Sequence, residues 1–176
     1  QIHSNPELGF DCHKTADFVT SKLREFGVDE IHTKIAKTGV VAIINGKIPG
    51  KTIGLRADMD ALPLTESKNH QYKSKIPGVM HACGHDGHVA MLLGAAQVLC
   101  QNKKKYHGTV RFIFQPAEEG GGGARYMIED GCLDNLDEIY GIHVWNYQPY
   151  GEVGVKEGPI MASADMFDIK IKGIGG

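Results

Sequence analysis

The sequence predicts an α/β fold built on a largely parallel sheet. Apolar runs of strand length alternate along the chain with segments of helical period, the pattern of helices packed on a parallel sheet. The strand runs are continuous rather than alternating, as in strands covered on both faces. At 176 residues the chain is long enough for one well-cored domain with the edge of another.

The first helix is expected over 12–26, where Ala16, Val19, Leu23 and Phe26 share one face. Gly27 follows as its stop. Segments 40–44 and 52–55 read as buried strands separated by a turn around Pro49 and Gly50. Segment 89–100 is apolar on nearly all sides and reads as a buried helix. Segment 108–114 is a third buried strand, ended by Pro116, which cannot donate to a ladder. A short helix over 124–130 stops at Gly131, and 138–145 is a fourth buried strand with His143 late in it. The last segment differs. Phe167, Ile169 and Ile171 alternate with Asp168, Lys170 and Lys172, the two-faced pattern of a half-exposed strand. A domain boundary is expected near 159–164, giving one domain over 1–160 and the start of a second over 161–176. The chain begins at Gln1 without Met and stops just after a strand pattern, so it reads as a fragment.

Composition excludes several classes. Formal net charge is -2, and the densest basic run is Lys103–Lys105. That disfavours nucleic-acid binding, which needs a basic surface. The longest apolar run, 89–96, is eight residues, far short of the roughly 20 that span a bilayer. The four cysteines are too sparse for a disulfide framework, so a reducing, cytoplasmic location fits.

Polar residues cluster where strands end. Arg56 and Asp58 follow one strand, Glu118 and Glu119 follow another, and His143 sits late in a third. Cys83, His85 and Asp86 immediately precede the buried helix. In open α/β sheets ligands bind at the carboxyl ends of the strands. Segment 81–88 holds three His, one Cys and one Asp in eight residues. A single Cys or His there would read as a packing residue; the density points to metal ligands. Thiolate, imidazole and carboxylate together suit zinc, cobalt or manganese, and a following helix N-terminus would favour a thiolate at Cys83. Of Glu118 and Glu119, one would ligate metal and the other would handle protons. Cys12, Cys100 and Cys132 read as packing residues. His3, His13, His32, His70 and His107 read as surface or turn residues.

Assembled, these motifs resemble the aminoacylase/carboxypeptidase family of co-catalytic metallohydrolases. The narrower likeness is to its branch of hippurate hydrolases, N-acyl-amino-acid amidohydrolases and auxin-conjugate hydrolases. The resemblance is carried by the segments 3–10 (HSNPELGF), 55–63 (LRADMDALP), 81–88 (HACGHDGH), 114–120 (FQPAEEG) and 141–143 (GIH). It implies a three-layer α/β/α sandwich with a mostly parallel mixed sheet, a zinc-peptidase-like catalytic domain, followed by the start of a smaller α+β lid or dimerisation domain. It also implies two divalent metal ions held by Cys83, His85, Glu119 and His143, with Glu118 as general base. Asp58, Asp86 and His88 would orient those groups. Arg56 stands where the wider family has a metal-ligating His, so it is not counted as a ligand. The resemblance further implies an N-acyl amino acid as substrate, a homodimer in the full-length protein, and one more His ligand from a C-terminal segment outside this sequence. Two rival readings remain: a hydrolase with Cys83 as nucleophile beside His85 or His88, and a non-catalytic metal-binding or interaction domain.

Overall fold

The computed structural model describes residues 1–175, which divide into a unit Gln1–Val144 and a second unit from Trp145 onward. In the first unit, helix α1 spans His13–Phe26 with Val19 and Leu23 fully buried. Cys12 offers no side-chain cap at its start. The Glu7 carboxylate fills that role, accepting the Lys14 and Thr15 N–H groups at 3.0 and 2.9 Å, which satisfies donors left orphaned by the first turn. Gly27 closes the helix at φ 77, a left-handed conformation that suits glycine.

Five strands follow: β1 Glu30–Ile35, β2 Gly39–Asn45, β3 Ile48–Asp58, β4 His107–Gln115 and β5 Glu138–Gly141. Helix α2 spans His85–Gln101 and helix α3 spans Gly123–Glu129. The sheet order is β1-β2-β4-β3-β5. β3 pairs in parallel with β4 and β5, whereas β2 pairs antiparallel with β1 and β4. The sheet is therefore mixed, with its parallel half around β3. That half arises because α2 and α3 carry the chain back across the sheet before β4 and β5, as parallel neighbours require.

Two cores make three layers. Val40, Ala42 and Ile44 of β2, with Phe112 and Phe114 of β4, join Val19, Leu23, Val89, Leu93 and Ala96 in one apolar cluster. Val41 and Ile113 join Met127 and Cys132 in the other. Odd and even strand positions thus face opposite helical layers. This is the α/β/α sandwich that the sequence predicts.

Several boundaries differ from expectation. β1 was not anticipated: its sequence EIHTKI is largely exposed, and its ladder to β2 is what holds it extended. The chain reverses at Gly46 and Lys47, not at Pro49 and Gly50, which lie in the exposed start of β3. A Cβ at Gly46 would stand 2.6 Å from the Tyr106 carbonyl oxygen, so the tight reversal requires glycine. Helix α2 starts one turn before its apolar run and is not buried all round, since Met91 is 39% and Val98 58% exposed. β5 is largely exposed, not buried as expected, because it is the edge strand of the sheet, and it ends at Gly141, where its pairing with Arg56 of β3 ends. His143 therefore lies beyond the strand, not inside it.

In the second unit, residues 145–175 contain no helix or strand among the described residues. Phe167, Ile169 and Ile171 are exposed. Their alternation has no neighbouring strand to pair with, and a strand gains stability only through such pairing.

Candidate metal centre

The sheet aims three strand ends at one point. β3 ends at Asp58, which is 1% exposed. Arg56 precedes it on the same side of the strand and donates to Asp58 Oδ2 at 2.8 Å. Arg56 also donates twice to Gln115 Oε1, at 2.9 and 2.7 Å, which ties the end of β3 to the end of β4. Past β4 the chain leaves the ladder at Pro116, and Ala117 takes φ 52. This irregular turn lets the neighbouring Glu118 and Glu119 serve one site, which a regular strand would forbid. Asp60 fixes the turn: its two carboxylate oxygens accept the Glu118 and Glu119 backbone N–H groups at 3.0 and 3.1 Å.

His85, the first residue of α2, stands at the meeting point and is fully buried. Its Nε2 lies 3.6 Å from Asp58, 3.6 Å from Glu119 and 3.8 Å from Glu118. Its Nδ1 lies 3.5 Å from Asp60. Neither ring nitrogen makes a hydrogen bond, a costly state for a buried polar group. Cys83 Sγ lies 3.4 Å from His143 Nε2. The donor atoms of Cys83, His85 and His143 lie within 4.8 Å of one another, as do those of His85, Glu118 and Glu119. His85 also groups with Asp58 and His88.

A further chain of bonds holds His143. His88 is buried, and its Nε2 accepts the Val144 N–H at 3.0 Å. Its ring proton therefore sits on Nδ1, which donates to Asp58 Oδ1 at 2.6 Å. Asp58 thus fixes the His88 tautomer, and His88 seats the residue after His143. Val144 packs so closely on Gly84 that a Cβ there would stand 2.4 Å from Val144 Cγ2, and Gly84 adopts φ 87. Gly84→Ala is expected to cost about 1–3 kcal/mol through backbone strain, and to displace Val144 with the adjoining His143. Thermal denaturation, with metal content measured on the same samples, checks both effects.

The electrostatics call for a cation. Four carboxylates, Asp58, Asp60, Glu118 and Glu119, surround His85. Burial favours the neutral His85 ring, but Asp60, Asp58 and Glu119 outweigh it and raise its pKa. Burial and the nearby Glu119, Glu118 and Asp58 push the Cys83 thiol up to about 12. The thiolate expected from the helix N-terminus is therefore not favoured by the protein alone, because burial first and the carboxylates second keep the proton on sulfur. Burial, Glu119 and Asp58 raise Glu118, with His85 and Arg56 opposing. An orphaned buried imidazole, a thiol, a second imidazole and crowded carboxylates fit divalent metal ions of zinc, cobalt or manganese type.

The structure brings Cys83, His85, Glu118, Glu119 and His143 together, with Asp58 and His88 beside them. It turns Asp86 elsewhere: its Oδ2 lies 2.7 Å from His3 Nδ1. Asp60 was missed in the sequence. Its signal was the Asp-Met-Asp spacing at the exit of β3, which repeats a carboxylate after two residues.

Comparison with known proteins places this architecture. The chain is 47% identical over 176 residues to N-acyl-L-amino acid amidohydrolase of Geobacillus stearothermophilus, covering 99% of this chain and 47% of that protein. It is 50% identical over 179 residues to hippurate hydrolase of Campylobacter jejuni, covering 100% of this chain and 46% of that protein. Among solved structures it is similar to the Bacillus subtilis YXEP protein, described as a dinuclear metal binding peptidase from the M20 family. That match has a TM-score of 0.86 and 46% identity, and covers 90% of this chain and 44% of the other. The chain spans about half the length of the curated relatives it matches. With residues 54–172 matching the profile of peptidase family M20/M25/M40, the chain belongs to that family.

Proposed function

We propose that the protein containing this chain is a metal-dependent amidohydrolase that cleaves N-acyl amino acids to a carboxylate and a free amino acid. The observation that carries this reading is the convergence on His85, a buried imidazole shared by three groups of potential metal ligands. Cys83, His85, Glu119 and His143 would hold two divalent ions. When bound, these supply Lewis acidity toward the amide carbonyl and toward a water molecule.

The chain's own residues do the rest. Glu118, its pKa raised from its ordinary value chiefly by burial, accepts a proton from the water as the water oxygen attacks the amide carbon. It then passes that proton to the leaving nitrogen as the C–N bond breaks and its electron pair moves to nitrogen. Asp60 orients the Glu118–Glu119 turn through its two backbone bonds. Asp58, Arg56 and His88 fix the distance between the ends of β3 and β4 and the His143 segment. Burial, with Glu119, Glu118 and Asp58 nearby, holds Cys83 as a thiol, which opposes a role for it as an unaided nucleophile. A purely structural metal site would have no use for the additional carboxylate of Glu118.

The alternating residues 167–172 support the reading of 161–176 as the start of a lid or dimerisation domain, and hence of a homodimer in the longer protein. No helix among the described residues is long and apolar enough to cross a membrane. The four cysteines are free, which supports a reducing, cytoplasmic location. The test is metal analysis of the full-length protein with assays on acetyl-, benzoyl- and indole-acyl amino acids. Hydrolysis that a chelator abolishes and added divalent metal restores is expected. Undiminished hydrolysis in the metal-free protein would overturn the reading.

A further inference from the structure

A second constellation lies away from His85. His3 comes from the N-terminal segment, and Glu66 and His70 from the irregular stretch after β3. The donor atoms of His3, Glu66 and His70 all lie within 4.8 Å of one another. Glu66 is 3% exposed, although no Lys or Arg pairs with it among the described residues. Its Oε2 accepts the Ser74 N–H at 2.7 Å, which leaves Oε1 facing His3 Nε2 at 3.2 Å and His70 Nε2 at 2.7 Å. His3 lies in a turn and His70 on an irregular segment, as the sequence suggests, but both are half-buried against Glu66.

We propose that His3, Glu66 and His70 form a separate site for a divalent cation of zinc type, distinct from the centre around His85. Three observations support it. First, Asp86 Oδ2 lies 2.7 Å from His3 Nδ1. A carboxylate on one ring nitrogen fixes the tautomer and aims the other nitrogen's lone pair at a metal. With Nδ1 protonated for Asp86, a neutral His3 presents that lone pair to Glu66 Oε1, and two acceptors face each other unless a cation or a second proton lies between them. Second, the charges balance: a divalent ion neutralises the Glu66 and Asp86 carboxylates together, which the protein's own groups do only when His3 and His70 are both protonated. Third, His81 is 4% exposed with neither ring nitrogen bonded, and its ring lies 6.3 Å from that of His3. A buried imidazole without partners is available as an additional donor or as the partner of a water on the ion.

Two imidazoles and one carboxylate are a zinc-compatible donor set. Ligand atoms about 2.0–2.2 Å from zinc require the present contacts to open by a few tenths of an ångström, within reach of side-chain rotation. His3 and His70 retain 18% and 28% side-chain exposure, so an ion can reach the site from solvent. Bound there, the ion would tie the N-terminal segment to the stretch that leads into Cys83.

The test compares zinc content after dialysis, with and without His70→Ala, in a Cys83→Ser/Glu119→Gln background that weakens the other centre. His70 is partly exposed on an irregular segment, so its replacement leaves the cores intact; far-UV circular dichroism verifies this. Loss of one zinc equivalent per chain on adding His70→Ala is expected, with loss of the corresponding cobalt absorption band. Equal zinc content with and without His70 would overturn the proposal, as would an anomalous-scattering map of the zinc-soaked protein with no peak between His3 and Glu66. Both results leave the assignment around His85 untouched, because none of its residues is shared.

Discussion

Glu118→Gln in the full-length protein is expected to retain its metal while losing about 10²–10⁴-fold in turnover, the usual contribution of a positioned general base. The amide of Gln is nearly isosteric with the carboxyl group but cannot accept the proton. Its backbone N–H remains free to donate to Asp60 Oδ1 as Glu118 does, so the turn carrying Glu119 keeps its place. The variant therefore separates proton transfer from metal binding. Metal content and steady-state kinetics on one preparation check it. Turnover close to wild type would remove Glu118 from the mechanism, whereas loss of metal along with turnover would make it a ligand.

The second large effect falls on stability. Asp58→Ala is expected to destabilise the fold by about 3–5 kcal/mol, the cost of removing one partner from a buried ion pair. Asp58 is 1% exposed and receives both Arg56 and His88. Its loss leaves the buried His88 imidazole without its acceptor and removes the carboxylate that balances the Arg56 charge, which keeps only its bonds to Gln115. Burial alone would raise the Asp58 pKa, but the His88 hydrogen bond and the Arg56 charge outweigh it and hold the group below its ordinary 3.8. The sign follows: the folded state binds this proton more weakly than the unfolded chain does. The stabilisation is complete above that ordinary value and is lost as pH falls through the depressed folded value. Urea denaturation of wild type and variant near neutral pH measures the difference. Repeating it at acid pH should show the gap narrowing, and a gap independent of pH would contradict the assignment.

How much was legible depends on where each signal lives. The α/β class, α1 and the buried strands β2 and β4 were legible because burial on one or two faces leaves an apolar pattern in the sequence. β1 was not, because only Ile31 and Ile35 of its six residues are apolar and partnership with β2 decides its conformation. The start of α2 was misplaced because its first turn, from His85, is chosen for chemistry and not for the apolar pattern. Cys83, His85, Glu118 and Glu119 stood out as two dense clusters. His143 was recognised but set inside a strand, since the apolar run continues past Gly141 after the ladder to β3 has ended. Asp60 acts through backbone N–H groups 58 and 59 residues away, a relation that no local pattern records. The grouping of His3 with Glu66 and His70 was hidden for the same reason.

The order of strands has an evolutionary consequence. Every residue gathered around His85 is carried by the parallel half of the sheet or by the connections leaving it, and none by α1, β1 or β2. Apart from Gly39, where a Cβ would stand 3.2 Å from Pro116 at the start of the Glu118–Glu119 turn, mutations in residues 13–45 act on the site through packing and stability, and stability tolerates many substitutions of similar volume. That stretch is free to drift among descendants at a pace set by packing alone, while the rim of β3, β4 and β5 is held to particular side chains.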